Sequence, residues 1–301
     1  MQRNIQYIFW AVSACMLWGT AFVGGKIGFL YMGPLRLSGL RFIIAGLMLV
    51  PLLLVQRVSL KKTLKHWRMI LLFSIMQTFL QYGLFFWGLN LVPAATAALV
   101  VGGGPLVIAV MAHFFMPDDL LTRRKVFAIF LGIAGVFFIA LTKGQMIGEG
   151  WSFYGGIILL IVSILIGGGT NIIVAKYLGD LHPVGLTALA NLSGGVLLYL
   201  FALIVEPAVD NGMPSDFLIA LFWLAFISAY GFSVWYTILQ KPGVKVGEIN
   251  VWKFVIPVTG CVLSWTILPG EYPDWSSIIG IVVITVSLLI FQWPIKSTVK
   301  V

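Results

Sequence analysis

The sequence predicts an all-α, polytopic membrane protein: ten transmembrane helices arranged as two inverted five-helix repeats. Three observations carry that expectation. Hydrophobic residues make up 60% of the 301 positions, charged residues only 10%, and mean hydropathy is +1.04; soluble domains run nearer ~45–50% apolar and ~25% charged. The apolar residues gather into runs of about 20, the length at which a helix crosses a bilayer. The second half of the chain echoes the first at an offset of 150 residues. Too little polar surface remains to coat a water-facing body, which argues against a soluble enzyme or a nucleic-acid-binding domain.

The spans follow in order. The first, 5–25, begins almost at once. It outruns a signal-peptide core without a convincing cleavage site, so it reads as a retained helix. The second, 35–56, follows Pro34 and carries Arg36 and Arg41. The third, 69–89, contains almost no charge. The fourth, 94–116, holds the run Gly102-Gly103-Gly104-Pro105. The fifth and sixth are 125–142 and 152–175. The seventh, 183–205, opens at Pro183, and the eighth is 217–238. The ninth, 247–268, carries Glu248 and Lys253, and the tenth is 276–293. These runs are too long and continuous for the alternation of an outer-membrane barrel. No soluble module is expected before or after them.

Charge placement supports the count. An even number of spans puts both termini on one side. The loops and tails of that side then hold fourteen basic residues, among them Arg57, Lys61, Lys62, Lys65, Arg68 and Arg123 to Lys125. Against them stand three acids, Asp118, Asp119 and Asp180. The other side holds Glu149, Glu206, Asp210, Asp216, Glu271 and Asp274, with few basic residues. Basic loops mark the cytoplasmic side. Both termini are therefore expected in the cytoplasm, and the net charge of +9 reads as a topology signal rather than as affinity for nucleic acid. Cys15 and Cys261 lie inside apolar runs, so no disulfide framework is expected.

The repeat is visible in SACMLWGTAFVGGK at 13–26 against SILIGGGTNIIVAK at 163–176. Ser13 matches Ser163, Gly19-Thr20 matches Gly169-Thr170, and Lys26 matches Lys176. Pro34 and Pro183 precede the second spans of the two units. Pro105 and Pro257 fall in the fourth spans. The units divide as 1–142 and 143–301. Five is odd, so tandem five-span units sit in opposite orientations. That arrangement suits a secondary transporter, which opens alternately to either side about a central site. No Walker sequence points to ATP, and no filter sequence points to a channel. Gly102 to Gly104 lacks the Lys-Ser/Thr continuation of a phosphate loop and reads as helix packing or loosening.

Residues in the same order through both units resemble the drug/metabolite transporter superfamily, specifically its EamA-like ten-span exporters. In the first unit they are Trp18-Gly19 with Phe22, Pro34, Arg41-Phe42 with Ala45, Pro93-Ala94-Ala95 leading to Pro105, and Gly132 with Gly135. In the second they are Gly247-Glu248 leading to Pro257, and Gly280. The resemblance spans nearly the whole chain. It implies two inverted units around a central cavity, in the plasma or inner membrane, and export of amino acids, other small metabolites or amphipathic drugs. The chain departs from the pattern at Gly167-Gly168-Gly169, where the first unit has a tryptophan-glycine. It departs again at the fourth-span ends, FFMPDDLLT and ILPGEYPDW. Asp118 or Asp119, and Glu271, stand where the family carries a glutamate.

Polar side chains inside spans are costly against lipid and usually face the bundle or a cavity. The residues expected to bind solute are Trp18, Gln77, Gln81, Tyr82, Asn171, Tyr230, Asn250, Trp252 and Lys253. Gln77 and Gln81 are four apart and share a helix face. Each amide serves equally well as interhelical glue. Gly19, Gly102, Gly103, Gly104, Pro105 and Pro257 are expected to pack or gate. Trp10, Trp67, Trp87, Trp151, Trp223, Trp275 and Trp293 lie near span ends and read as interfacial anchors. Arg41 and Glu248 are read as structural charges, Arg41 because the family pattern contains it whatever the substrate. Lys253 leans toward the cavity, where a buried cation could hold a carboxylate. His66 and His182 fall in separate loops, so no metal site is expected, and nothing calls for a cofactor.

These features favour a carrier exporting a small amphipathic or zwitterionic metabolite such as an amino acid. A carrier of organic cations or drugs, bound on aromatic faces, is the alternative. A non-transporting membrane scaffold is a third reading. An enzyme is disfavoured by the absence of an HExxH sequence or a convergent acid/base set. No span has a well-centred acid, so proton coupling has no obvious carrier beyond Glu248.

Overall fold

The computed structural model describes residues 2–116, 120–147, 150–179, 181–207 and 212–292, and all regular structure among them is helical. The helices are α1 (Gln2–Phe29), α2 (Pro34–Met48), α3 (Val50–Val55), α4 (Leu60–Leu64), α5 (Trp67–Phe73), α6 (Tyr82–Leu91), α7 (Ala94–Gly102) and α8 (Gly104–Phe115), then α9 (Arg123–Ile147), α10 (Gly150–Tyr177), α11 (Pro183–Val205), α12 (Ser215–Leu239), α13 (Val246–Asn250), α14 (Val255–Ile267) and α15 (Trp275–Gln292). A π-helical stretch, Ser74–Gln81, joins α5 to α6, and a 3₁₀ turn, Val251–Phe254, joins α13 to α14.

Seven helical stretches of the described residues are long and apolar enough to cross a membrane. They are Gln6–Phe29, Pro34–Val55, Trp67–Leu91, Ala94–Phe115, Trp151–Tyr177, Pro183–Val205 and Ser215–Leu239, with shorter apolar helices at Val251–Ile267 and Trp275–Phe291. The outside of the bundle is what lipid requires. Phe114, Phe130, Phe137 and Ile204 are exposed, as are Trp10, Trp67, Trp87, Trp151, Trp223 and Trp275. Trp293, Asp118, Asp119, Glu149, Asp180 and Asp210 lie outside the described residues.

Prolines shape the helix starts and breaks. Pro34 and Pro183 open α2 and α11, where a missing N–H costs nothing. Pro105 and Pro257 act differently. Each removes the donor for the carbonyl four residues earlier, on Val101 and Lys253 respectively. The helix yields at both places: α7 gives way to α8 at Gly103, and the turn Val251–Phe254 precedes α14. The ninth expected span is therefore not one regular helix, and its break carries Lys253.

The two halves of the chain interlock in matched pairs. α1 packs on α12, and α10 packs on α6; α1 packs on α14, and α10 on α8. α2 pairs with α11, α7 with α14, and α9 with α15. Shifting each first-half partner to its counterpart in the second half returns the same set of contacts. The α2–α11 pair is close because glycine lets the backbones approach. A Cβ on Gly39 would come within 2.6 Å of the Tyr199 nitrogen, and one on Gly195 within 2.8 Å of the Ile43 nitrogen. Small residues at such crossings replace the hydrophobic drive that lipid removes.

Carboxylates tie the halves at two helix starts. Glu206, just past α11, accepts hydrogen bonds from the Leu35 nitrogen at 2.6 Å and the Arg36 nitrogen at 3.0 Å. Glu271, beyond α14, accepts from the Ala94 and Ala95 nitrogens at 2.6 and 2.9 Å. Each satisfies N–H groups that the first turn of α2 or α7 leaves without intrahelical partners, and each sits at the positive end of a helix.

Candidate functional site

Where the halves meet, a cavity of about 110 Å³ opens, room for several waters. α1 contributes Trp18, Ala21 and Phe22 to its wall, and α2 contributes Arg41. Gln81, Tyr82 and Phe85 come from the π stretch and α6. Val101, Gly104, Pro105 and Ile108 come from the α7–α8 break. The second half supplies Ser163, Ile164, Gly167, Thr170 and Asn171 of α10, Ser228, Phe232, Trp235 and Tyr236 of α12, and Lys253 and Ile256 beside the other break.

Spacing explains why these side chains converge. Ser163, Gly167, Thr170 and Asn171 form one stripe of α10, at steps of four, three and one. Ser228, Phe232, Trp235 and Tyr236 repeat those steps on α12. Val101 and Lys253 are the residues whose carbonyls Pro105 and Pro257 cannot bond, so both proline breaks face the same space. Such interrupted helices at a repeat interface are where carriers bind solute.

Two cations lie in this wall. The Arg41 side chain is 2% exposed. Its Cζ is 4.0 Å from the Phe86 ring centre, 4.3 Å from Phe42 and 5.0 Å from Tyr82. The Lys253 Nζ is 4.6 Å from the Trp235 ring centre and 5.8 Å from Trp18. Rings bridge the two cations: Tyr82 to Phe232, Phe232 to Trp18, and Trp18 to Trp235, each pair 5.4 Å between centres.

Most neutral polar groups of the wall are already engaged. The Trp235 indole N–H donates to Asn171 Oδ1 at 2.8 Å, and Asn171 Nδ2 donates to the Gly167 carbonyl at 2.8 Å. The Tyr236 hydroxyl donates to Gln77 Oε1. Ser163, Thr170 and Ser228 each donate to a carbonyl within their own helix. The buried side-chain atoms of the wall left without a partner are Trp18 Nε1 and Arg41 Nε and Nη2, all donors.

Of the residues expected at the site, Trp18, Gln81, Tyr82, Asn171 and Lys253 line the cavity. Gln77 lies behind it as the partner of Tyr236. Tyr230 is turned away and shares a hydrogen bond with Ser13 at 2.9 Å. Asn250 is buried, and its Nδ2 donates to the Val246 carbonyl. Trp252 lines a separate hollow with Tyr7 and Lys245. The Glu248 side chain lies outside the described residues. Among the expected packing residues, Gly104 and Pro105 line the cavity, while Gly102 abuts Pro257 and Gly19 abuts Thr259. Gly103 faces Val136.

Arg41, read from sequence as structural, is part of the wall, and so are Phe232, Trp235 and Tyr236. His66 and His182 come together in one surface hollow with Lys62 and Lys65 despite their separate loops. Even so, no group of three His, Cys, Asp or Glu suited to a metal gathers among the described residues.

A helical bundle with an apolar exterior, interrupted helices and a largely aromatic cavity with a few polar groups between its halves has the build of a membrane transporter. The EamA-like transporter family matches residues 5–141 and again 154–293, so the chain belongs to that family. It is similar to the "Uncharacterized transporter YoaV" of Bacillus subtilis, with 22% identity over 84% of this chain and 86% of that one. A "Probable amino-acid metabolite efflux pump" of Salmonella typhimurium is 24% identical over 97% of both chains. A crystal structure of a protein 21% identical superposes with a TM-score of 0.75 over 95% of this chain and 97% of the other, which shows the fold.

Proposed function

We propose that this protein is a secondary transporter that exports a small amphipathic or zwitterionic metabolite, such as an amino acid, by alternating access. In this reading two inverted five-helix units, 1–142 and 143–301, give ten crossings of the plasma or inner membrane with both termini in the cytoplasm. The observation that carries it is the cavity at the join of the halves, with Lys253 and aromatic faces in its wall. The exchange of helix partners between halves supports a two-fold design, which lets one architecture open either way. The name of the Salmonella relative supports export of an amino-acid-related metabolite.

Solute binding is assigned to Trp18, Gln81, Tyr82, Asn171 and Lys253, with Gln77 holding the wall from behind. Pro105 and Pro257 supply the flexible breaks. The aromatic wall favours a second reading, an organic-cation carrier, but two cations in the same wall oppose it. Among the described residues the wall contains no Asp or Glu; proton coupling would need a carrier elsewhere, and facilitated diffusion is equally compatible. The test is efflux of labelled amino acids from vesicles holding the purified protein, with and without a pH gradient. Saturable efflux is expected. Efflux no faster than from protein-free vesicles, for every solute tried, would refute the proposal.

A further inference from the structure

We propose that the cavity selects an organic anion, a carboxylate on a flat apolar body, and that Arg41 joins Lys253 in choosing it. This deepens the transport reading and rests on it. The first ground is charge. Arg41 and Lys253 both line the cavity, and among the described residues no acid does. Both cations rest against ring faces, and Arg41 Nε and Nη2 have no hydrogen-bond partner among the described residues. A charge withdrawn from water is expensive unless an opposite charge or hydrogen bonds replace the lost solvation. A solute carboxylate supplies both.

The second ground is donor count. Every buried side-chain atom of the wall without a partner is a donor, on Trp18 or Arg41. A solute ammonium would find ring faces and neutral oxygens, such as those of Gln81, the wall hydroxyls and the carbonyls at the proline breaks, while two cations repel it. The third ground is shape. The rings of Tyr82, Phe232, Trp18 and Trp235 run in unbroken contact from one cation to the other. A flat apolar body lies against that wall with its carboxylate within the cations' field.

Four probes with one aromatic body separate the charges: 3-phenylpropionate, phenylalanine, phenethylamine and 3-phenylpropanol. Binding is read on the purified full-length protein by quenching of its tryptophan fluorescence and by thermal shift. The expected order is 3-phenylpropionate tightest, phenylalanine at least tenfold weaker, and phenethylamine not bound. Lys253→Met and Arg41→Gln should each weaken 3-phenylpropionate binding at least tenfold. Arg41→Lys, which keeps the charge if the neutral variant does not fold, should retain most of it. Phenylalanine or phenethylamine binding as tightly as the anion overturns the proposal. So does anion affinity unchanged in Lys253→Met, or no anion binding at all. Counterflow in vesicles tests the parent reading separately. Flux of phenylalanine without anion preference keeps transport and removes anion selectivity; anion binding without flux of any probe does the reverse.

Discussion

Replacing Glu271 by glutamine should loosen the join between the halves and shift access to the cavity. In the structure its carboxylate accepts two backbone hydrogen bonds, at 2.6 and 2.9 Å, from the first turn of α7. Bonds to a charged acceptor contribute about 1.5–3 kcal/mol each when shielded, and a negative charge at a helix start adds roughly 0.3–1 kcal/mol. Glu271 is half-exposed, so the lower ends apply. Glutamine keeps one acceptor oxygen but loses the charge and the second bond. The net loss is about 2 kcal/mol. If the clasp exists in one access state and breaks in the other, that loss shifts their ratio by about thirtyfold. The assay replaces Cys15 and Cys261, both buried, with alanine and installs Ser163→Cys in the cavity wall. Maleimide labelling of that thiol should speed up at least tenfold in Glu271→Gln, with a lower unfolding temperature. A rate within twofold of the parent, with unchanged unfolding, would refute the idea that this clasp holds one state.

The other expectations follow from the same contacts. Asn171→Ala strands the buried Trp235 N–H and should cost about 1–3 kcal/mol, read as a lower unfolding midpoint in detergent. Gly39→Ala drives a methyl against the Tyr199 backbone and should cost about 1–3 kcal/mol by overpacking, while Gly155→Ala, with open space around it, should be near neutral in the same assay. Pro257→Ala restores a donor for the Lys253 carbonyl and should straighten the break, reducing transport while leaving the unfolding midpoint unchanged or raised. Tyr230→Phe, outside the cavity wall, should leave solute affinity within twofold in fluorescence titration.

Much of this architecture was legible in the residues because the bilayer restricts what a chain can do. Long apolar runs had to be helices, and Pro34, Pro183, Pro105 and Pro257 marked starts and breaks at matching places. The site was legible less evenly. On α12 the residue expected at the site is Tyr230, whereas the stripe facing the cavity is Ser228, Phe232, Trp235 and Tyr236. Polar and aromatic residues occur on several sides of that helix, so composition could not phase it. The needed signal was the matching spacing on α10, whose Ser163, Thr170 and Asn171 repeat the pattern. Arg41 was harder. Its role depends on the rings around it, and those come from α2 and α6, brought together only by packing. Trp252 adjoins Lys253 in sequence, but in the tight turn before Pro257 the two point to different hollows.

The most direct test of the account is counterflow in vesicles carrying either the parent protein or Lys253→Met, each shown to be folded by its unfolding transition. Accumulation of labelled solute against excess unlabelled solute inside, saturable in the parent and reduced at least tenfold in the variant, is the predicted result. Equal accumulation by both would contradict a solute path through this cavity.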